Sequence, residues 1–241
     1  MKFNIITLTA IAAVFTMFSC DKETDSPEKF SIINHQYVDL GLPSGLKWAT
    51  CNIGAENPED FGDYFAWGET KGLYSGKTSF AGELFTWYNY NLCNRSYDKL
   101  TKYCFNSDYG IVDNKSILDD EDDVAMVMWG AGWRMPTLAE MEELDDNCTW
   151  TWTTRNNVEG YVAKSKINGN EIFFPANGFY SNRLTTSEYG NPVGYFWGKD
   201  KEPSTYWDSQ KKANAFFLTP GNHYTLSSER CYGCTVRPVK D

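Results

Sequence analysis

Cys231-Tyr232-Gly233-Cys234 brings two reactive side chains closer together than any other pair of thiols in the sequence. Thiols at this spacing can exchange electrons or hold a metal. A tetrahedral metal would need further ligands, and the only histidines, His35 and His223, lack ligand spacing. Structural cysteines are the expectation, with Cys231 or Cys234 bridged to Cys51 or Cys148. The run Asp119-Asp120-Glu121-Asp122-Asp123 offers calcium-type oxygens. Contiguous acids point in several directions, however, and lack the spacing of an EF-hand loop, so the run reads as a solvated helix N-terminus. Arg134 and Arg237 stand in apolar blocks, where pairing with a buried acid is expected. No Ser-His-Asp order, phosphate loop or isolated carboxylate pair stands out. No catalytic residue, metal or cofactor is therefore assigned, and the chain reads as a non-enzyme. Tyr195, Trp197 and Tyr206 lie in a stretch rich in Gly, Ser, Thr and Asn, and are the candidate ligand-binding residues. Rings of this kind stack on a sugar or fill a protein partner's pocket. Trp207 is assigned to the core.

Location follows from the first twenty residues. Met1-Lys2-Phe3 precedes an apolar stretch from Ile5 to Phe18 and then Ser19-Cys20, in the pattern of a signal peptide over residues 1–19. The apolar stretch is shorter than the roughly 20 residues a membrane span needs. Met17-Phe18-Ser19-Cys20 resembles the lipobox of bacterial lipoproteins. That resemblance implies cleavage before Cys20 and acylation of its thiol and amino group, making membrane lipid a partner. Secretory cleavage elsewhere and a retained anchor are the alternatives. Residues 20–33 are polar and charged and read as a lipidated cysteine with a flexible tether. Their acids resemble the surface-export signal of Bacteroidetes lipoproteins, which implies an outer-membrane, surface-exposed location.

The 241-residue chain carries a net charge of -10, and residues 1–19 remove one lysine and no acid. Phosphate backbones require a basic face, so nucleic-acid binding is excluded. Beyond Cys20 stand Cys51, Cys93, Cys104, Cys148, Cys231 and Cys234, an even set that in an exported chain favours disulfides. Cys93 and Cys104 flank a polar loop and are the expected pair. Closing such a loop is worth about 3 kcal/mol in the chain-entropy model. Free buried thiols are the alternative for the others.

These residues must be carried by short elements. Gly41-Leu42-Pro43-Ser44-Gly45 predicts a turn between strands 37–40 and 46–49, and residues 63–68 suggest a further strand. A short helix is expected from near Asp119. Thr137 with Glu140 forms a capping box opening a second helix, with Leu138, Met141 and Leu144 on one face. Thr149-Trp150-Thr151-Trp152-Thr153 alternates strictly and places both indoles on one side of a strand. Asn168-Gly169 predicts a type I′ hairpin between 161–165 and 171–174. Strands at 213–218 and 235–239 complete an α+β domain with its helices early and strands late.

Several blocks resemble a known family. Val38-Asp39-Leu40-Gly41-Leu42-Pro43-Ser44-Gly45-Leu46-Lys47-Trp48-Ala49 is similar to the opening of the Fibrobacter succinogenes major paralogous domain. So are Gly62-Asp63-Tyr64-Phe65-Ala66-Trp67-Gly68-Glu69, Trp133-Arg134-Met135-Pro136-Thr137, Cys148 to Thr154, and Val236-Arg237-Pro238-Val239, in family order. The resemblance implies one C-type-lectin-like domain over 34–241, related to formylglycine-generating enzymes. It implies two short helices, small twisted antiparallel sheets and long loops. It implies no established catalysis. Asn177 and the stretch from Ser181 to Ser209 depart from the pattern. The resulting expectation is a non-catalytic surface lipoprotein that binds a glycan or a protein. A redox enzyme and a structural envelope or fimbria-associated subunit are the alternatives.

Overall fold

The sheet nearest the start of the domain is completed by residues from its far end. Strands β1 (Tyr37–Asp39) and β2 (Lys47–Ala49) pair antiparallel, and β13 (Val239–Lys240) joins the other edge of β2, with Trp48 opposite both Val38 and Val239. In this computed structural model residues 35–72 and 85–241 are described. The signal segment, Cys20 and the tether lie outside them. The described part is an α+β domain belonging to one compact unit, Asn34–Asp241.

Helix α1 (Val124–Trp129) follows a single 3-10 turn at Asp120–Asp122, and helix α2 (Leu138–Asn147) follows Thr137. The capping box forms as expected: Thr137 accepts from the Glu140 backbone, and Glu140 accepts from the Thr137 backbone. Met141 and Leu144 face the core. A third helix not expected from the sequence, α3 (Trp207–Lys211), is one short turn.

A second antiparallel sheet runs β3 (Cys148–Arg155), β4 (Val158–Ser165), β5 (Glu171–Pro175). Asn156 and Asn157 both have positive φ, 48° and 66°, and close the β3–β4 hairpin in two residues. That left-handed pair is the signature of a type I′ turn, and Asn tolerates it better than most residues. The expected type I′ turn at Asn168-Gly169 is not formed. Only Gly169 is left-handed there, and the Ser165 amide bonds Asn170 O across a longer loop.

Ribbons β6 (Phe179–Tyr180) with β7 (Leu184–Thr185) and β8 (Ser187–Glu188) with β9 (Asn191–Pro192) lead into a third sheet. It runs β10 (Gly194–Trp197), β11 (Lys212–Thr219), β12 (Asn222–Glu229), with a Pro220-Gly221 turn joining the last two. Strands β10 and β11 of this sheet are buried on both faces. Tyr195, Trp197, Ala213, Ala215 and Phe217 enter one core cluster with Phe65, Trp67 and α1. Phe196, Phe216 and Leu218 enter another with Trp48, Phe174 and α2. The strand period of two assigns alternate residues to opposite faces, so one strand pair feeds two cores. A third cluster gathers Tyr64, Tyr90, Cys93, Leu100, Cys104 and Cys231 under the loops.

Candidate binding site

Of the three candidate binding rings, two are core residues. Trp197 is fully buried, and its indole N–H donates to Phe65 O at 2.8 Å. Tyr195 is buried between Phe179 and Phe217, and its hydroxyl donates to Glu188 at 3.0 Å. Gly, Ser and Asn neighbours suggested a surface loop, but β10 inserts between β11 and the turn region of Thr235, which covers both rings. Tyr206 alone stands in solvent, 78% exposed. Trp207, assigned to the core, is 56% exposed beside it.

Tyr206 lines a groove between the 198–206 segment and the β11–β12 sheet, whereas Trp207 packs on Lys211 and is not among the groove's lining residues. One cavity of about 280 Å³ is lined by Ser204, Tyr206, Asp208, Ser209 and Lys212. A second, of about 420 Å³, is lined by Leu138, Asp200, Lys201, Asn214 and Thr225. Glu202 and Ser227 border both, so the two adjoin.

The groove's walls are held from beneath. Gln210, fully buried, accepts from the Phe105 amide at 2.9 Å and donates to the carbonyls of Ser204 and Tyr206. Its one side chain thus fixes the loop before α3 to the 103–106 segment. Asp200 accepts from the Leu138 amide at 3.0 Å and from Asn214, and its burial raises its pKa. Lys201 is buried with its ammonium 4.8 Å from the Phe105 ring centre and bonded to Glu202 O at 3.3 Å. Burial, and then the nearby Arg230 charge, pulls its pKa down to about 8. Lys211 lies between two rings, 4.1 Å from Tyr97 and 4.3 Å from Trp207, which orients Trp207 without covering it. An Asp208–Lys212 ion pair of 2.6 Å spans α3 and the start of β11. Hydroxyls, carboxylates and an exposed ring on a fixed frame suit a polar ligand with one flat apolar face.

The remaining chemical candidates are structural. All six cysteines of the domain are free thiols, and Cys93 and Cys104 are not bridged. Cys93 donates to the carbonyls of Trp87 and Tyr90, and Cys104 to that of Asn106 at 3.1 Å, so each thiol is engaged on its own side of the loop. The bridges expected from Cys231 or Cys234 to Cys51 or Cys148 are likewise unformed. Cys231 and Cys234 are buried in different clusters, and burial raises both pKa values well above the thiol norm. Burial also pushes Cys148 up to about 11.

The acidic run divides its work. Asp119 binds Lys115, Asp122 binds Lys102, both at 2.6 Å, and buried Asp123 caps α1 while pairing with Lys199 at 3.2 Å. Among the described residues no three metal-ligating side chains converge. Arg134 meets Glu140 in a two-pronged ion pair, as its apolar surroundings suggested. Among the described residues Arg237 pairs with no acid. It donates to Asn52 at 2.7 Å and to the carbonyls of Ala49 and Thr50, over the Phe174 ring. Arg230 is buried in the same manner, bonded to the Tyr90 hydroxyl and to three backbone carbonyls. Both guanidiniums tie distant loops by neutral acceptors.

Sequence reasoning missed Lys201, Lys211 and Gln210. The one available signal was the unusual alternation of lysine with acid and aromatic residues through 199–212. Comparison with family models, curated proteins and solved structures finds no match for this chain.

Proposed function

We propose that this protein is a non-catalytic lipoprotein of the outer membrane, held by acyl chains on Cys20, with a C-type-lectin-like domain that binds a glycan or a protein. The observation that carries the binding role is the groove lined by exposed Tyr206, with Trp207 exposed next to it in the chain. Large rings left in solvent on a rigid frame lose little entropy when a ligand covers them. The groove's polar lining supplies donors and acceptors in both senses. The anchor rests on the lipobox-like Met17-Phe18-Ser19-Cys20, and the domain family on the five blocks in order.

A redox reading of Cys231 and Cys234 has weak support. Reactive thiols are exposed and have lowered pKa values, whereas these two are buried with raised ones.

A glycan array and a partner pull-down with the protein and its Tyr206→Ala and Trp207→Ala variants test the proposal. Binding by the wild type, weakened about tenfold or more by either substitution, is the expected result. A ligand whose affinity is indifferent to both substitutions places the binding surface elsewhere.

A further inference from the structure

A second surface joins apolar, aromatic and cationic side chains where the described domain begins. The His35 ring stacks on Trp129 at 3.8 Å between centroids, with planes 9° apart. Lys240 lies 5.0 Å from the Tyr37 ring centre and 5.4 Å from that of Trp133, which meets Trp129 edge-on. Lys47 approaches Tyr37 from the neighbouring strand. At the end of α1, Val127 and Met128 are exposed at 52% and 41%, and Tyr37 at 46%. Neither Lys47 nor Lys240 makes an ion pair among the described residues, although the chain as a whole is acidic.

We propose that this surface lies against the phospholipid headgroups of the bilayer that holds the Cys20 acyl chains. The proposal rests on the lipid-anchor reading. Tyrosine and tryptophan rings favour the boundary between water and hydrocarbon, where one end of the ring is apolar and the other wet. Lysine stems lie along apolar surface while their ammoniums reach lipid phosphate. Val127 and Met128 supply side chains able to enter the acyl boundary, and the short helix that carries them ends at Gly130.

Chain length favours this occupant over others. Fourteen residues separate Cys20 from His35, so covalent geometry alone keeps this surface within about 50 Å of the cysteine. A surface held that close to a bilayer meets it at an effective concentration in the millimolar range, so weak contacts suffice. A free partner in solution has no such advantage.

Hydrogen exchange on the full chain tests this. The lipidated protein in vesicles of phosphatidylethanolamine and phosphatidylglycerol is compared with the Cys20→Ala protein in buffer. Amides in 35–40 and 124–133 are expected to exchange roughly fivefold more slowly on the vesicles. Val127→Gln with Met128→Gln, both at exposed positions, should abolish that slowing while leaving vesicle partition and melting temperature unchanged. Three results overturn the proposal. A vesicle-bound protein that exchanges at the Cys20→Ala rate removes the docking face and leaves the anchor standing. Slowing that grows with protein density on the vesicle assigns the face to a second copy of the chain. A wild-type chain that is neither acylated nor vesicle-bound removes the anchor and the docking face together.

Discussion

At the scale of single residues, burial separates rings that look alike in sequence. Trp197 and Trp207 both follow an aromatic residue in a loop-like stretch, yet one is fully buried and the other half exposed. Trp197→Ala should destabilise the domain by about 3–5 kcal/mol, because the cavity it leaves lies between Phe65 and Ala215 in a packed sheet. Tyr206→Ala should leave stability within about 0.5 kcal/mol of wild type. Thermal melts of both variants check this, and equal melting temperatures would refute the burial assignment. Lys201 makes a pH prediction. Its pKa is about 8 folded against 10.5 unfolded, so between those values the unfolded chain binds the extra proton. Its contribution to stability therefore grows as pH rises from 8 to 10.5 and is lost as pH falls through 8. Lys201→Met should stabilise the protein at pH 7, on the order of 2 kcal/mol, and flatten that alkaline rise. Denaturant titrations at pH 7 and pH 10 measure both. The alternation of lysine with acid over 199–202 marks the segment but reads as solvated, and nothing in it singles out Lys201. Its burial depends on Phe105 and Ser116, which the fold brings to it from far upstream.

At the scale of elements, what could be read was what is fixed locally. The Thr137–Glu140 box forms because both bonds close within one turn. Thr137→Ala should cost about 1 kcal/mol. Glu140→Ala should cost more, since it also leaves Arg134 with only the exposed Asp241 carboxylate. Chemical denaturation of the pair would rank them, and the reverse order would argue that the cap dominates. The alternation of Trp150 and Trp152 likewise appears as two indoles against the same cluster. Elements fixed by distant partners were not legible. Asn168-Gly169 carries the stronger hairpin dipeptide, but Ser165 accepts from the amides of Ile167 and Asn168 and donates to Leu40 O, which holds the chain in a wider loop. The tight turn falls instead at Asn156-Asn157. Strand β12 was missed because its outward residues Thr225, Ser227 and Glu229 give it a polar look, while α3 is too short for any periodicity.

At the scale of the whole molecule, the order of predicted elements carried the α+β class and composition the acidic character, but neither carried the sharing of one sheet by two cores. That arrangement needs β10 and β11 to pair across an intervening loop and α3, a distance over which no local pattern operates. The pairing of β13 with β2 carries a temporal consequence. A polypeptide is made from its amino end, so Trp48 emerges long before Val239 can cover the other edge of its strand. The first sheet of the domain is the last that can be completed, and until then β2 offers an open edge on which another chain can template. That edge stays open for as long as the chain between Trp48 and Val239 takes to be made, at about 5–20 residues per second.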